Sequence, residues 1–365
     1  MGLKDELEQA EKKLEETPVN KATETERGRL KAKIANLEEE IKKRQKETGG
    51  GEGGYAVEKT GDATAALVGY PSVGKSTLLN KLTNADSEVG EYQFTTLDVV
   101  PGIMKHRGAN IQLLDVPGLI GGAAQGKGDG QQVLSVVRNA DLVILMTDPD
   151  RLDGFDKMED ELYDAGVRPD MEPPNVKVEK KGKGGISVKC PIDLTQTDEE
   201  TVKEVMEQWG YVNASIIIRE DLPIERIIDA LAKDRVYMPS LKVVNKAETL
   251  SEEEAEEIRD EYGDDVLFLS AEEETNLDTF RDRVFEELGL LRIYLKKRQG
   301  DVDRDEPMII HQGDTVEDLC ERLHDSFRDK FKHARVWGES AKHEGQRVGL
   351  DHELRDEDVV EINKG

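Results

Sequence analysis

The fold of this chain is decided by one stretch, Gly69-Tyr70-Pro71-Ser72-Val73-Gly74-Lys75-Ser76. It matches the pattern G-x-x-x-x-G-K-[ST], the phosphate-binding P-loop. An apolar run at 63–68 predicts a buried strand before the motif, and residues 77–82, beginning with Thr77, predict a helix after it. In this setting backbone N–H groups face phosphate oxygens. Lys75 would reach the β- and γ-phosphates, and the Ser76 hydroxyl would bind Mg²⁺. The stretch from Gly69 to Thr77 therefore predicts a nucleotide site.

The charge of the chain is strongly acidic. Its 365 residues are enough for two or three domains, and they carry a formal net charge of −28 from 79 acidic and 51 basic side chains. Such an excess repels itself in dilute buffer and is screened in molar salt. A cytoplasm of very high salt would explain the charge, and an ordinary acidic protein is the alternative.

Several classes of site are excluded by composition. The two cysteines, Cys190 and Cys320, lie far apart, which argues against a disulfide framework and a cysteine zinc site. The six histidines show no metal-ligand spacing. No signal peptide is recognised, and the apolar run at 142–146 is too short to span a bilayer. We therefore expect a soluble, cytoplasmic monomer with no membrane partner.

The N-terminal region, 1–62, is predicted to be a helical hairpin. Leu3, Leu7, Ala10 and Leu14 share one helical face, and a second helix begins near Thr23 with the same spacing. Residues 17–46 hold nine basic and five acidic side chains, unlike the chain as a whole. This surface either is simply solvated or contacts RNA or a protein partner.

Two further segments are expected to contact the γ-phosphate and Mg²⁺. Between the first helix and the second strand, Thr96 is positioned to bind Mg²⁺ and sense the γ-phosphate, with Thr95 as the alternative. A buried strand then ends in Asp115-Val116-Pro117-Gly118. Asp115 would hold Mg²⁺ through water, and the Gly118 N–H would meet the γ-phosphate. Lys75, Thr96 and Gly118 are thus the expected catalytic groups, and Ser76, Thr96 and Asp115 the expected metal ligands. The six glycines within 118–130 predict movement with nucleotide state.

The base-reading residues are expected at the ends of two later strands. One ends in Asn245-Lys246-Ala247-Glu248. In this pattern the Asn packs against the phosphate loop, the Lys stem covers the base, and the carboxylate accepts the N1–H and N2–H₂ of guanine. The other strand, 266–271, ends in Ser270-Ala271, which would meet the guanine O6 edge. With a helix over 275–288, these elements predict a doubly wound, mostly parallel α/β fold.

Two regions of the sequence do not belong to this predicted α/β fold. About ninety residues separate the strands at 141–147 and 241–244, too many for one crossover, so 165–235 is predicted to be an α+β insertion. Its lysine-rich turn, 180–185, is either a solvated hairpin or an RNA clamp. The C-terminal region, 290–365, is a small mixed β/α module with one helix over 315–331. The aromatic residues within its basic segment 326–347 belong either to the core or to an RNA surface.

Taken together, the ordered motifs resemble a GTPase of the translation-factor-related class, and more closely the Drg/Rbg family (developmentally regulated GTP-binding proteins) of the Obg–HflX group. The match extends over essentially the whole chain and includes 20–23, 173–175, 183–186, 236–239, 336–338 and 356–362. The resemblance implies an N-terminal helix-turn-helix (1–62), a GTPase domain (63–289), an inserted ribosomal-S5-like domain (165–235) and a C-terminal TGS domain (290–365). It also implies a ribosome or RNA partner and a regulatory protein partner. The acidic excess suggests a haloarchaeal member.

Three positions bear on the chemistry: Glu248 departs from the family, whereas Leu119 and Ser72 are usual in the family and differ from other GTPases. Glu248 stands where the family has Asp, and a related branch with Glu at this position prefers ATP. Leu119 replaces the Gln that orients water in Ras-like GTPases, so a side chain there cannot position water. Ser72 replaces the Asn that binds K⁺ in many potassium-activated relatives, although backbone carbonyls leave K⁺ open as an activator. The sequence predicts a slow Mg²⁺-dependent GTPase that controls binding to ribosome or RNA. An ATP-preferring hydrolase and an RNA- or partner-binding scaffold with incidental hydrolysis are the alternatives.

Overall fold

The computed structural model describes residues 2–19, 23–48, 59–83, 99–116, 130–232, 234–296, 302 and 304–364. The chain forms two compact units. The insert unit contains Met1–Gly53 and Met171–Tyr237, and the main unit contains Gly54–Asp170 and Met238–Gly365. None of the described helices has the length and apolar character needed to cross a lipid bilayer.

Helices and strands alternate through most of the chain. Up to residue 170 they are α1 (Leu3–Glu16), α2 (Glu24–Thr48), β1 (Ala63–Gly69), α3 (Lys75–Thr83), β2 (Val100–His106), β3 (Ala109–Asp115), α4 (Gly130–Arg138), β4 (Leu142–Thr147), α5 (Gly154–Asp164) and β5 (Val167–Pro169). The later elements are β6 (Val176–Lys180), β7 (Ile186–Lys189), α6 (Glu199–Gln208), β8 (Ala214–Ile218), α7 (Ile224–Leu231), β9 (Val236–Met238), β10 (Ser240–Val244), α8 (Glu252–Tyr262), β11 (Leu267–Phe268), α9 (Leu277–Glu287), β12 (Leu290–Leu295), β13 (Met308–His311), α10 (Val316–Leu323), α11 (Asp325–Asp329), β14 (Phe331–Trp337), β15 (Gln346–Val348) and β16 (Val359–Lys364).

The main unit is built on a six-stranded sheet with the order β11-β10-β4-β1-β3-β2. All neighbouring strands in it are parallel except β2, which runs antiparallel to β3. This confirms the predicted mostly parallel sheet. Because parallel strands end at the same edge, the segments after β1, β3, β4 and β10 converge there, where ligands of such folds bind.

The central strands are buried on both faces. Every described residue of β1 and β4 is buried, and both are nearly continuous apolar runs, as expected for strands covered by helices on each side. The polar exception in β1, Thr64, bonds through its hydroxyl to Gln112 Oε1 at 3.1 Å. On α3, Leu78, Leu79 and Leu82 are buried against this sheet. The sheet therefore gives the loops at its edge a packed support.

The C-terminal part of the main unit has its own five-stranded sheet, β13-β12-β16-β14-β15. The single helix predicted over 315–331 is wrong, because His324 adopts extended backbone (φ 170°) and separates α10 from α11. Arg292 on β12 donates two hydrogen bonds to the Asp356 carboxylate, from Nε at 3.1 Å and from a terminal nitrogen at 2.6 Å. This bidentate pair ties β12 to the loop before β16.

The insert unit contains a three-stranded sheet in which β8 lies between β6 and β7. Strand β6 is antiparallel to β8 and β7 is parallel to it, so the lysine turn 180–185 does not join two paired strands, and the predicted hairpin is wrong. The reason lies at Asn213, just before β8. Its carbonyl accepts from Lys181 N at 2.9 Å, and its side chain accepts from Gly185 N at 2.8 Å. The turn therefore passes over the end of β8.

One face of this small sheet is covered by helices. Buried side chains from α6 and α7, among them Val202, Val205 and Ile227, pack on it together with Ala32 of α2. Asn36 of α2 also donates to the carbonyl of Gln208 at 2.7 Å. Helix α2 thus completes the core of the insert unit. The four-part division into 1–62, 63–289, 165–235 and 290–365 stays a prediction.

Candidate functional site

The loop between β1 and α3 approaches its neighbours too closely for side chains at its two motif glycines. A Cβ on Gly69 would lie 2.3 Å from the carbonyl oxygen of Met146, and one on Gly74 would lie 2.3 Å from Asn245 Nδ2. Gly74 also has φ +99°, which favours glycine. Ser72 has φ +66° without being glycine. The loop is therefore tightly curved and pressed against the ends of β4 and β10.

Lys75 lies inside this curve. It is the first residue of α3, is buried, and its Nζ donates to the carbonyls of Gly69 at 2.8 Å and Tyr70 at 3.1 Å. Burial lowers the pKa of Lys75, while the nearby Asp115 carboxylate acts in the opposite direction. An ammonium held in a place poor in water interacts strongly with an anion, because the effective dielectric constant is low.

Ser76 and Asp115 meet at the expected metal position. The Ser76 hydroxyl donates to Asp115 Oδ2 at 2.6 Å, and Asp115 is the buried last residue of β3. Adjacent Val116 is fixed by its N–H bond to Leu67 O at 3.1 Å. One hydroxyl and one carboxylate suit Mg²⁺, which keeps waters and substrate phosphates as its other ligands. Within the described ranges, no group of three or more His, Cys, Asp or Glu side chains could hold a metal ion by itself.

Five of the predicted site residues lie outside the described residues. They are Thr95, Thr96, Pro117, Gly118 and Leu119. Their roles stay predictions.

Asn245 joins the phosphate loop to the predicted base-reading loops. It is 3% exposed, its Nδ2 donates to Val73 O at 2.8 Å, and its Oδ1 accepts from Ala271 N at 2.9 Å. Both neighbours, Val73 and Ala271, are buried as well. The position agrees with the packing role that the N-K-x-E pattern predicts for this asparagine.

Lys246 extends back along the same loop. Its backbone is left-handed (φ +61°), and its Nζ donates to Asp148 Oδ2 at 2.7 Å and to Ser72 O at 3.1 Å. Asp148, which sequence reasoning missed, directly follows β4 and is buried. Its other oxygen, Oδ1, has no hydrogen-bond partner among the described residues. The sequence did contain a signal that could have identified Asp148, because an acidic residue directly after a buried parallel strand lies at the edge of the sheet where ligands bind.

The remaining base-reading residues differ in what they already contact. Glu248 lies exposed in a short 3₁₀ turn, Ala247–Thr249, and makes no hydrogen bond or ion pair with any residue that the structure describes. Buried Ser270 accepts from Glu273 N at 3.1 Å. The N–H of Ala271 is already bonded to Asn245, whereas the Glu248 carboxylate has no bond to any described residue.

A second residue that sequence reasoning missed supports the outer side of the loop. Arg151 donates to Pro71 O at 2.9 Å, and its guanidinium lies 6.0 Å from the centre of the Tyr70 ring. Nothing in the sequence near Arg151 marks this role, because the contact depends on the fold.

Three family models match the chain. Residues 64–181 match the model described as "50S ribosome-binding GTPase", residues 183–290 match the "C-terminal region of MMR_HSR1 domain", and residues 291–364 match the TGS domain.

Known proteins match the chain over nearly its full length. A GTP-binding protein of Methanocaldococcus jannaschii is 51% identical over 365 residues, covering 99% of this chain and 93% of that protein. A GTP-binding protein of Halobacterium salinarum is 49% identical, with 99% of each covered. Human developmentally-regulated GTP-binding protein 2 is 41% identical, with 100% of each covered.

Proposed function

Because this chain belongs to the family of developmentally regulated GTP-binding proteins, which are P-loop GTPases and therefore hydrolases, we propose that it is a slow, Mg²⁺-dependent GTPase that controls association with the ribosome or its RNA. The observation that carries the proposal is the pair of hydrogen bonds made by Asn245 to Val73 and Ala271. These bonds support a single site in which phosphate and base are bound together.

The phosphate half of the proposal assigns a role to each group. Lys75 would neutralise charge that develops on the γ-phosphate, and Ser76, Asp115 and Thr96 would hold Mg²⁺. Mg²⁺, when bound, supplies positive charge at the β- and γ-phosphate oxygens. Leu119 offers no polar atom to orient water, so we expect low intrinsic turnover. K⁺ or a regulatory protein would then raise it.

The base half of the proposal depends on Glu248. Its carboxylate is exposed and has no partner within the described part of the chain, so it can accept two N–H donors from guanine, each bond to a charged group contributing about 1.5–3 kcal/mol. Adenine offers no such pair of donors, and its N1 lone pair would face the carboxylate. We therefore expect GTP to bind at least about a hundredfold more tightly than ATP, about 2.7 kcal/mol.

The ribosomal partner is supported by the family model described as a 50S ribosome-binding GTPase, which matches 64–181. Under this proposal the GTP- and GDP-bound forms differ in ribosome affinity. A scaffold whose hydrolysis is incidental would bind ribosomes equally in both forms.

The test compares nucleotides and variants in one assay. Labelled GTP is displaced by unlabelled GTP, GDP or ATP, and turnover is measured with and without ribosomes in KCl and in NaCl. Lys75→Ala should abolish nucleotide binding. Glu248→Ala should reduce the preference for GTP, while Glu248→Asp should keep or increase it because the shorter side chain fits guanine without retracting. If ATP displaces GTP at comparable concentrations, the chain is an ATP-preferring hydrolase instead.

A further inference from the structure

The sheet of the insert unit has one face that its helices do not cover. Along β8, the side chains of Ala214, Ile216 and Ile218 are buried in the core formed with α6 and α7. Because side chains alternate along a strand, Ser215 and Ile217 point to the opposite side. We call this opposite side the open face.

The register of the strands shows which residues share the open face. Lys177 of β6 and Lys189 of β7 lie on either side of Ile217. In the next row, Glu179 and Ser187 lie on either side of Ser215 in the same way. Lys177, Glu179 and Lys189 are exposed. Two strand spacings, about 9–10 Å, separate the backbones that carry the two lysines.

The middle row of the open face holds two short hydroxyl side chains, the half-buried Ser187 and the buried Ser215, next to Glu179 and within reach of Lys181. Lys181 Nζ donates to Ser187 Oγ at 3.1 Å, and Ser187 Oγ donates to Ser215 Oγ at 3.2 Å. Lys177 pairs with Glu179 at 2.7 Å. The hydrogen bond from Lys177 lowers the pKa of Glu179, and the nearby charges of Lys181 and Lys189 lower it further. Three ammonium groups therefore lie around one carboxylate.

The positive charge of this segment contrasts with the net negative charge of the chain as a whole. Residues 176–189 hold five lysines and one glutamate, although the whole chain has a net charge of −28. On the opposite, helical side, α6 holds four glutamates and one lysine. The open face is thus basic, whereas the surface of α6 is acidic. Like charges held together cost free energy, which an anionic partner would offset.

We propose that the open face binds the phosphate backbone of RNA. The inference rests on the proposed function, since it supplies a contact surface for the ribosomal or RNA partner. Lysine ammonium groups and hydroxyl donors bind phosphate oxygens without reading sequence. A protein partner fits less well, because protein interfaces are depleted in lysine and centred on aromatic or large apolar side chains. On the described open face, Ile217 is the large apolar residue, and it lies between two lysines.

The test is the triple variant Lys177→Gln/Lys181→Gln/Lys189→Gln in the full chain. Binding of a labelled single-stranded RNA and a labelled duplex RNA of mixed sequence is measured from 0.05 to about 0.5 M KCl. Each lost phosphate contact removes about 0.7 from the log–log salt slope of a single strand, so the slope should fall by about 2. At 0.1 M KCl the affinity should fall roughly a hundredfold.

Matched variants keep the test independent of folding. Lys203→Gln removes the lysine of the acidic helix α6 and should leave RNA affinity unchanged, whereas Lys189→Gln should weaken binding about fivefold at 0.1 M KCl. Glu179→Gln removes the single carboxylate of the face and should strengthen binding. GTP affinity and the urea midpoint should stay at the wild-type values in all of them.

Three outcomes would overturn the assignment. The first is wild-type RNA affinity in the triple variant while GTP-dependent ribosome binding persists, which leaves the proposed function intact. The second is displacement of RNA by polyglutamate at equal charge concentration, which would indicate an acidic protein partner. The third is a wild-type chain that binds neither RNA nor ribosomes, which would overturn both the face and the ribosomal role.

Discussion

Removing the Asn245 side chain should test whether the phosphate loop and the base loops form one site. In Asn245→Ala, the carbonyl of Val73 and the N–H of Ala271 lose their partners, which now lie at 2.8 and 2.9 Å. Both residues are buried, so water reaches them poorly. Each unsatisfied buried group costs about 1–3 kcal/mol, and the loss of two partners should therefore lower the free energy of unfolding by about 2–6 kcal/mol.

The same variant should also lose nucleotide affinity. Since the loop positions both phosphate and base, GTP and GDP should each bind at least about tenfold more weakly, a loss of about 1.4 kcal/mol. Asn245→Asp is a sharper change, because it still accepts from Ala271 N but turns a carboxylate oxygen towards Val73 O. We expect it to be as destabilising as alanine or more so.

The assays are urea unfolding followed by circular dichroism and titration with a fluorescent GDP. Asn139→Ala is the matched control, since the side chain of this exposed asparagine donates one hydrogen bond, to Ser135 O at 2.8 Å. The control should change the free energy of unfolding by less than about 0.5 kcal/mol. A loss below about 1 kcal/mol in Asn245→Ala, with unchanged GDP affinity, would refute the reasoning.

Three other changes test separate parts of the chain. Thr96→Ala should weaken Mg²⁺-dependent GTP binding and spare GDP affinity, measured by the same titration; if Thr95→Ala shows this pattern instead, the wrong threonine was chosen. Asp148→Asn should weaken GTP and GDP binding equally, because Lys246 loses the charge that holds it, and unequal losses would point to a role at the γ-phosphate. Burial raises the pKa of Asp356, but the hydrogen bonds and charge of its arginine partner outweigh burial and hold that pKa below the usual value. Its contribution is therefore present at neutral pH and lost as pH falls below about 4. Asp356→Asn should lower the urea midpoint at pH 7 and reduce the difference between pH 7 and pH 3.

The sequence predicted the parts of the site that are encoded locally. Gly69, Gly74, Lys75 and Ser76 stand in a fixed spacing, because one tight turn and one helix start must contain them. The central sheet was predictable for a similar reason, since strands buried on both faces are continuous apolar runs.

Roles that arise from contacts between distant segments were not predictable. Asp148 holds Lys246, which lies 98 residues further along the chain, and Arg151 supports Pro71 from 80 residues away. The hairpin predicted for the lysine turn, 180–185, was wrong for the same reason. Two short strands with a glycine-rich turn suggest a hairpin, but in the structure a distant third strand, β8, pairs with both of them and lies between them.

The packing of α2 against α6 and α7 affects how the chain can fold during synthesis. Lys31 and Asn36 of α2 bond to Glu225 and to Gln208, residues that are translated much later. The insert unit is complete only at residue 237, about 180 residues after the end of its first segment. Synthesis proceeds at about 5–20 residues per second, so roughly 10–40 s pass between the synthesis of α2 and that of the residues that cover its apolar face. During that interval residues 54–170 of the main unit are synthesised first, and the apolar face of α2 stays without its native partners until the second segment of the insert unit follows.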